Sequence, residues 1–141
     1  MLKTVKTLAA CAALSVLATP AIAQEEEPRT TYSVTMLKLT PGSENRWTEI
    51  RSEYVDPARE AAGLSPATVH WVMMNEDYDL IIITEMPRGM STFDTHANAE
   101  REAFWEAMSE IVGGQEALDA LGEEWDTLVE SSTTVYTHTH P

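Results

Sequence analysis

The run Leu80-Ile-Ile-Ile83 does most to limit what this chain can become. Strand alternation places successive side chains on opposite faces, so four large apolar residues in a row give a strand that is apolar on both. Such a strand belongs at the centre of a sheet, with cover on either side. The segment begins at Asp79, runs to Met86 and stops at Pro87-Arg-Gly89. The short polar connection Asn75-Glu-Asp-Tyr78 joins it to a preceding strand expected over residues 68–74, so the two read as a hairpin. A first strand is expected from Tyr32 to Leu39, closed by the turn signal Thr40-Pro41-Gly42, and a last one from Thr133 to His140.

Helical periodicity fills the remainder. Ser43 is placed to cap a helix whose apolar face carries Trp47, Ile50, Tyr54 and Val55. Asp56-Pro57 then suits a break, with Asp as cap and Pro opening a second short helix that Gly63 ends. Further on, Phe104, Trp105, Met108, Ile111 and Val112 form one apolar stripe. Gly113-Gly114 interrupts it, and Leu118, Leu121, Trp125, Leu128 and Val129 form another. The predicted order is β-α-β-β-α-α-β, an α+β chain with a split β-α-β arrangement and one added helix.

The amino-terminal residues set the compartment. Lys3 and Lys6 precede an apolar stretch from Leu8 to Leu17 that is too short to span a bilayer, and Ala21-Ile22-Ala23 offers a small-x-small cleavage site. Residues 1–23 therefore read as a signal peptide, residues 24–30 as a charged, disordered lead-in, and 31–141 as one domain. The expectation is a periplasmic or secreted protein. Cleavage after Ala23 removes Cys11, the one cysteine, which leaves the mature chain without disulfides or a thiolate metal site. It also removes two of the nine basic residues. Seven then face 23 acidic ones, a net charge of −16. That balance argues against nucleic acid and against anionic membrane as partners.

The pieces YSVTMLKLTPGSENRW, VHWVMMNEDYDLIIITEM and FDTHANAEREAFWEAM carry a resemblance. In their order and landmarks they are similar to the dimeric α+β barrel superfamily, and to its antibiotic-biosynthesis-monooxygenase-like and NIPSNAP-like branches. The resemblance implies a ferredoxin-like fold with an antiparallel four-stranded sheet that closes against a second copy into a barrel. It also implies a role for His96, since Phe93, His96 and Phe104 fit a Phe-x-x-His followed by a helix aromatic. Physical reasoning supports the homodimer separately. Helices on one face of a four-stranded sheet leave the other bare, and both registers here are apolar. Two such sheets face to face would cover that surface and enclose a cavity.

Few polar residues suit chemistry. His70, Thr84 and Tyr136 would form a small polar cluster if all three face the cavity, with Trp71 as a further ligand contact. His70 and His96 are the acid–base candidates; their structural alternatives are a solvated or core histidine and a loop contact. His138 and His140 project from the same side of a strand and form a two-ligand metal hook for copper or zinc, with a solvated strand end as the plainer reading. The methionines fill strand and helix positions, and a copper role for them is the weaker account. No nucleophile elbow or phosphate loop is present. The expected function is an exported, homodimeric protein that binds a small apolar or aromatic molecule without a cofactor. Cofactor-free oxygenases and isomerases are the nearest analogy, and catalysis itself is left open. The alternative is a non-catalytic metal-binding protein using the terminal histidines.

Overall fold

The Leu80–Ile83 run lies where its two-sided apolarity requires, in β3 (Leu80–Met86), an inner strand of a four-stranded antiparallel sheet ordered β2-β3-β1-β4. Its neighbours are β1 (Thr31–Leu39) and β2 (Thr68–Trp71); β4 (Val129–His138) pairs with the far side of β1 and forms an edge. This is the ferredoxin-like order, and helices pack on one face. The computed structural model describes residues 29–140. The signal-peptide reading of residues 1–23, and nearly all of the lead-in, fall outside the described residues.

Register determines which side chains share a face. Leu37 pairs with Leu80, Thr35 with Ile82 and Ser33 with Thr84, and Trp71 also pairs with Leu80. Directly opposed residues point the same way. Leu37, Leu39 and Leu80 are buried against Trp47 of the first helix, so this set is the helix-facing side. The opposite side carries Tyr32, Val34, Met36, Ile81, Ile83 and Val135, and no element of the described chain covers it.

Two strands differ from their predicted spans. β2 stops at Trp71 instead of residue 74 because Met74 takes a left-handed φ of 59° and turns the chain out of the ladder. The Asn75 side chain then accepts from the Asp77 and Tyr78 amides, closing a turn that the apolar content of Met73-Met74 hides. β4 begins four residues earlier than predicted, at Val129, which was assigned to the preceding helix.

The helix after β1 is continuous where a break was expected. α1 (Glu44–Ile50) passes through a π-helical turn (Arg51–Val55) into α2 (Asp56–Ala61). Pro57 has no N–H and its ring crowds the carbonyl of Glu53, so the ladder widens; the Asp56 amide bonds to Arg51, five residues back. Asp56 is therefore helical rather than a cap, and its carboxylate pairs with Arg51 at 2.9 Å. Ser43 does hold the N-cap position, yet its hydroxyl donates to the Leu128 carbonyl at 3.0 Å and ties the start of α1 to the end of the last helix.

A 3-10 turn (Gly89–Phe93) follows β3, and then α3 (Ala99–Val112) begins with Asn98 accepting from the Arg101 amide. Gly113, at φ 98°, ends it; both glycine amides bond back to the Ser109 carbonyl. The added helix is α4 (Gln115–Leu128). Arg46 grips it with a two-pronged contact to Glu124, at 2.6 and 2.9 Å. No helix among the described residues is long and apolar enough to cross a membrane.

Candidate functional site

The helices do not lie flat on the sheet. Ala58, Ala107 and Met108 pack α2 against α3 as a small core of their own, with Leu118 and Leu121 of α4 against it. Between this helical layer and the sheet lies a cavity of about 1200 Å³. Ile82 and Thr84 of β3 form its floor. Phe104 and Met108 of α3, together with Leu121 and Trp125 of α4, supply apolar walls. A drug-sized ligand is ordinarily held in pockets of this order, apolar with a few placed polar groups. A smaller recess of about 190 Å³ shares Arg59, Thr84 and Phe104 with it.

The basic groups on the wall are two arginines from the same interrupted helix. Arg51 is nearly buried, with 11% of its side chain exposed, and bonds to Asp56 and to the Ala67 carbonyl. Its guanidinium also sits 5.8 Å from the centre of the Trp47 ring. Arg59 is half-buried and directs Nε and Nη2 to a single acceptor, the Ser65 carbonyl. Burial lowers the affinity of the Arg59 guanidinium for its proton, and the nearby Arg51 charge adds to this, while Asp56 opposes both. The acids that line the same cavity, Glu106, Glu110, Asp119, Glu123 and Asp126, are exposed residues of α3 and α4.

An aromatic cluster adjoins the cavity through Trp125. Trp47 meets Trp125 at 5.9 Å and Trp71 at 6.2 Å between ring centres, the latter edge-on. The Trp47 indole N–H is buried with no acceptor among the described residues. Trp105 and Trp125 line the cavity directly.

The structure divides the residues singled out in the sequence. Thr84 and Tyr136 do share the helix-facing side, on either side of Ser33 in one row across β3, β1 and β4. Tyr136 is half-exposed and stacks edge-on with Phe93 at 5.2 Å. Trp71 lies on that side too, at the sheet edge. His70 does not join them. It pairs with Ile81 on the bare side of the sheet, because β2 places Val69 and Trp71 toward the helices. His96 is exposed in the loop before α3, where its carbonyl accepts from Arg101 at 2.9 Å. Neither histidine lines the cavity. His138 and His140 bring their Nε2 atoms to 3.0 Å at the exposed end of β4. No group of three or more His, Cys, Asp or Glu suited to a metal occurs among the described residues.

Sequence reasoning missed Arg51 and Arg59. The signal that could have found them is the presence of two basic residues flanking Asp56-Pro57 on an apolar helix face, in a chain with few basic residues.

The fold is shared with solved structures of low sequence identity. A NIPSNAP-family protein of unknown function from Agrobacterium tumefaciens aligns over 79% of this chain and 88% of its own, with 10% identity and a TM-score of 0.52. A Pseudomonas aeruginosa protein aligns over 81% and 97%, with 14% identity and a TM-score of 0.46. A NIPSNAP domain protein from Burkholderia xenovorans aligns over 76% and 91%, with 11% identity and a TM-score of 0.41. No protein-family model matches the sequence, and no curated protein does. The α+β fold expected from the residues is thus the fold of a NIPSNAP-family structure.

Proposed function

We propose that this protein holds a small, largely apolar molecule in the cavity between its sheet and its helices. One observation carries the reading: an open cavity of about 1200 Å³, walled by Phe104, Met108, Leu121 and Trp125, is formed by the residues of a single chain. The sequence placed the binding space elsewhere, between the sheets of two copies. The helix-side cavity needs no second copy to form. His70 and His96, the acid–base candidates, stand outside it, so the reading is of binding rather than turnover. Export through the amino-terminal segment, and a homodimer formed by the bare sheet face, complete the proposal. The first rests on the Lys3 to Ala23 pattern, the second on the uncovered Tyr32, Val34, Met36, Ile81 and Ile83.

Gly122 supplies the test. It lines the cavity in the middle of α4, with an ordinary helical backbone and no atom within 4 Å of where a Cβ would stand. A Phe at this position narrows the cavity without straining the helix, and relieves part of the cost of a helical glycine, about 1 kcal/mol against Ala. The neutral probe N-phenyl-1-naphthylamine should bind the native chain saturably and quench Trp105 and Trp125. Gly122→Phe should weaken that binding about tenfold while the melting temperature holds or rises. Equal binding by both proteins, or none by the native chain, refutes the assignment.

A further inference from the structure

Resting on that binding reading, we infer that the ligand is an apolar monocarboxylate, its head group held by Arg59 and Arg51 and its body under α3 and α4. The argument begins with how the cations are used. Lys38 pairs with Asp79, Arg46 with Glu124 and Glu49, and Arg88 with Glu100. Arg51 pairs with Asp56. Among the described residues Arg59 and Arg101 each bond only to a backbone carbonyl; Arg101 is exposed, whereas Arg59 is half-buried on the wall of the large cavity. A guanidinium carries five N–H donors, and the two spent on Ser65 leave three. A half-buried cation with unspent donors on a cavity wall favours an anion beside it.

Charge and shape define that anion. Two guanidiniums against the one carboxylate of Asp56 leave a single positive charge on this wall, which matches a monoanion. The planar fork of Arg fits a carboxylate through parallel hydrogen bonds. A dianionic head would exceed the local charge and meet the acids of α3 and α4 around the same cavity. Those acids are exposed and hydrated, so their effect at Arg59 is screened, whereas the arginines act in a drier setting. Thr84 lines both the large cavity and the small recess beside Arg59, and adds a hydroxyl near the head group. Beyond it the walls are Phe104, Met108, Leu121 and Trp125, which suit an alkyl chain or an aromatic ring. The lowered proton affinity of Arg59 agrees with a poorly solvated cation; the group stays protonated throughout the working range.

The test is displacement of N-phenyl-1-naphthylamine from the native protein at about pH 7.5, using dodecanoate, dodecanamide and dodecyl phosphate, which is largely dianionic there. Dodecanoate should displace the probe at a concentration about tenfold lower than either of the others. Arg59→Gln should bring acid and amide to within about twofold by weakening the acid alone, and Arg59→Lys should restore part of the preference. Equal displacement by acid and amide in the native protein overturns the inference, as does a preference that survives Arg59→Gln. Dodecyl phosphate matching dodecanoate overturns the single-charge argument. Should Arg59→Gln fail to fold, the ligand series on the native chain decides the matter alone. Failure of the probe itself to bind defeats the binding reading; a bound probe with no head-group preference defeats only the carboxylate.

Discussion

Removing the Asp79 side chain should loosen the sheet that floors the cavity, and the size of the effect follows from what the carboxylate does. β1 pairs with β3 as far as Leu37–Leu80, and two residues later the Leu39 amide has lost its strand partner on that side. Leu39 is 2% exposed, so water cannot reach it. Asp79 Oδ2 accepts that N–H at 2.8 Å, and Oδ1 accepts from Lys38 at 3.2 Å. Asp79→Ala leaves a buried donor unpaired and breaks a half-exposed ion pair, together roughly 2 kcal/mol. In a domain of this size that is a fall in Tm of about 10 °C. Asp79→Asn keeps an acceptor for Leu39 and should cost less. The Leu39 amide, with help from Lys38, holds the Asp79 carboxyl below its usual range, against a smaller opposing effect of burial. The stability gained from the charge is therefore fully present above the ordinary carboxylate value of about 4 and is lost as pH falls through the lower folded value. Urea unfolding of the native chain, Asp79→Asn and Asp79→Ala between about pH 7 and pH 3 measures all three effects. The reasoning fails if Asp79→Ala costs less than about 0.5 kcal/mol at neutral pH, or if the gap between native and Asn proteins stays constant in acid.

Three other outcomes are expected. Glu124→Gln should speed amide exchange along α4 more than along α3, since Arg46 and Glu124 hold each other charged across the gap between α1 and α4; the swapped pair Arg46→Glu with Glu124→Arg should recover the native pattern. Val34→Glu, set between Ile83 and Val135 on the bare sheet face, should raise the dimer dissociation constant at least about 100-fold in light scattering; a native chain that is already monomeric refutes the dimer. The Nε2 atoms of His138 and His140, 3.0 Å apart, suit adjacent positions on divalent copper, but two ligands should bind it weakly. Copper taken up should then leave on dialysis and fail to load His138→Ala, and stoichiometric metal surviving dialysis would contradict a two-ligand hook.

Much of the fold was legible because it depends on short-range periodicity. Leu80–Ile83 announced an inner strand, Gly113-Gly114 the break between two helices, and Thr40-Pro41-Gly42 the end of β1. The errors arose where local signals competed. Met73 and Met74 look like strand, yet the Asn75 turn and the positive φ of Met74 end it. Asp56-Pro57 looks like a new helix start, yet packing of Ala58 against Ala107 and Met108 keeps the helix running. The site was less legible for a different reason. Period-two alternation shows that Thr84 and His70 each have a side, but not which sides coincide; only the register of β2 against β3 separates them. The arginines were hidden because they serve a cavity whose walls come from four distant segments.

The π-helical turn has a geometric consequence for those arginines. Arg51 and Arg59 are eight residues apart, which in an unbroken α-helix would point them about 80° from each other. The turn absorbs one residue, so in space they stand as if seven apart, two turns along and about 20° from alignment. Pro57, by forcing that extra residue into the helix, acts as a phase adjuster. It rotates the second half of the helix until both guanidiniums look into the same cavity.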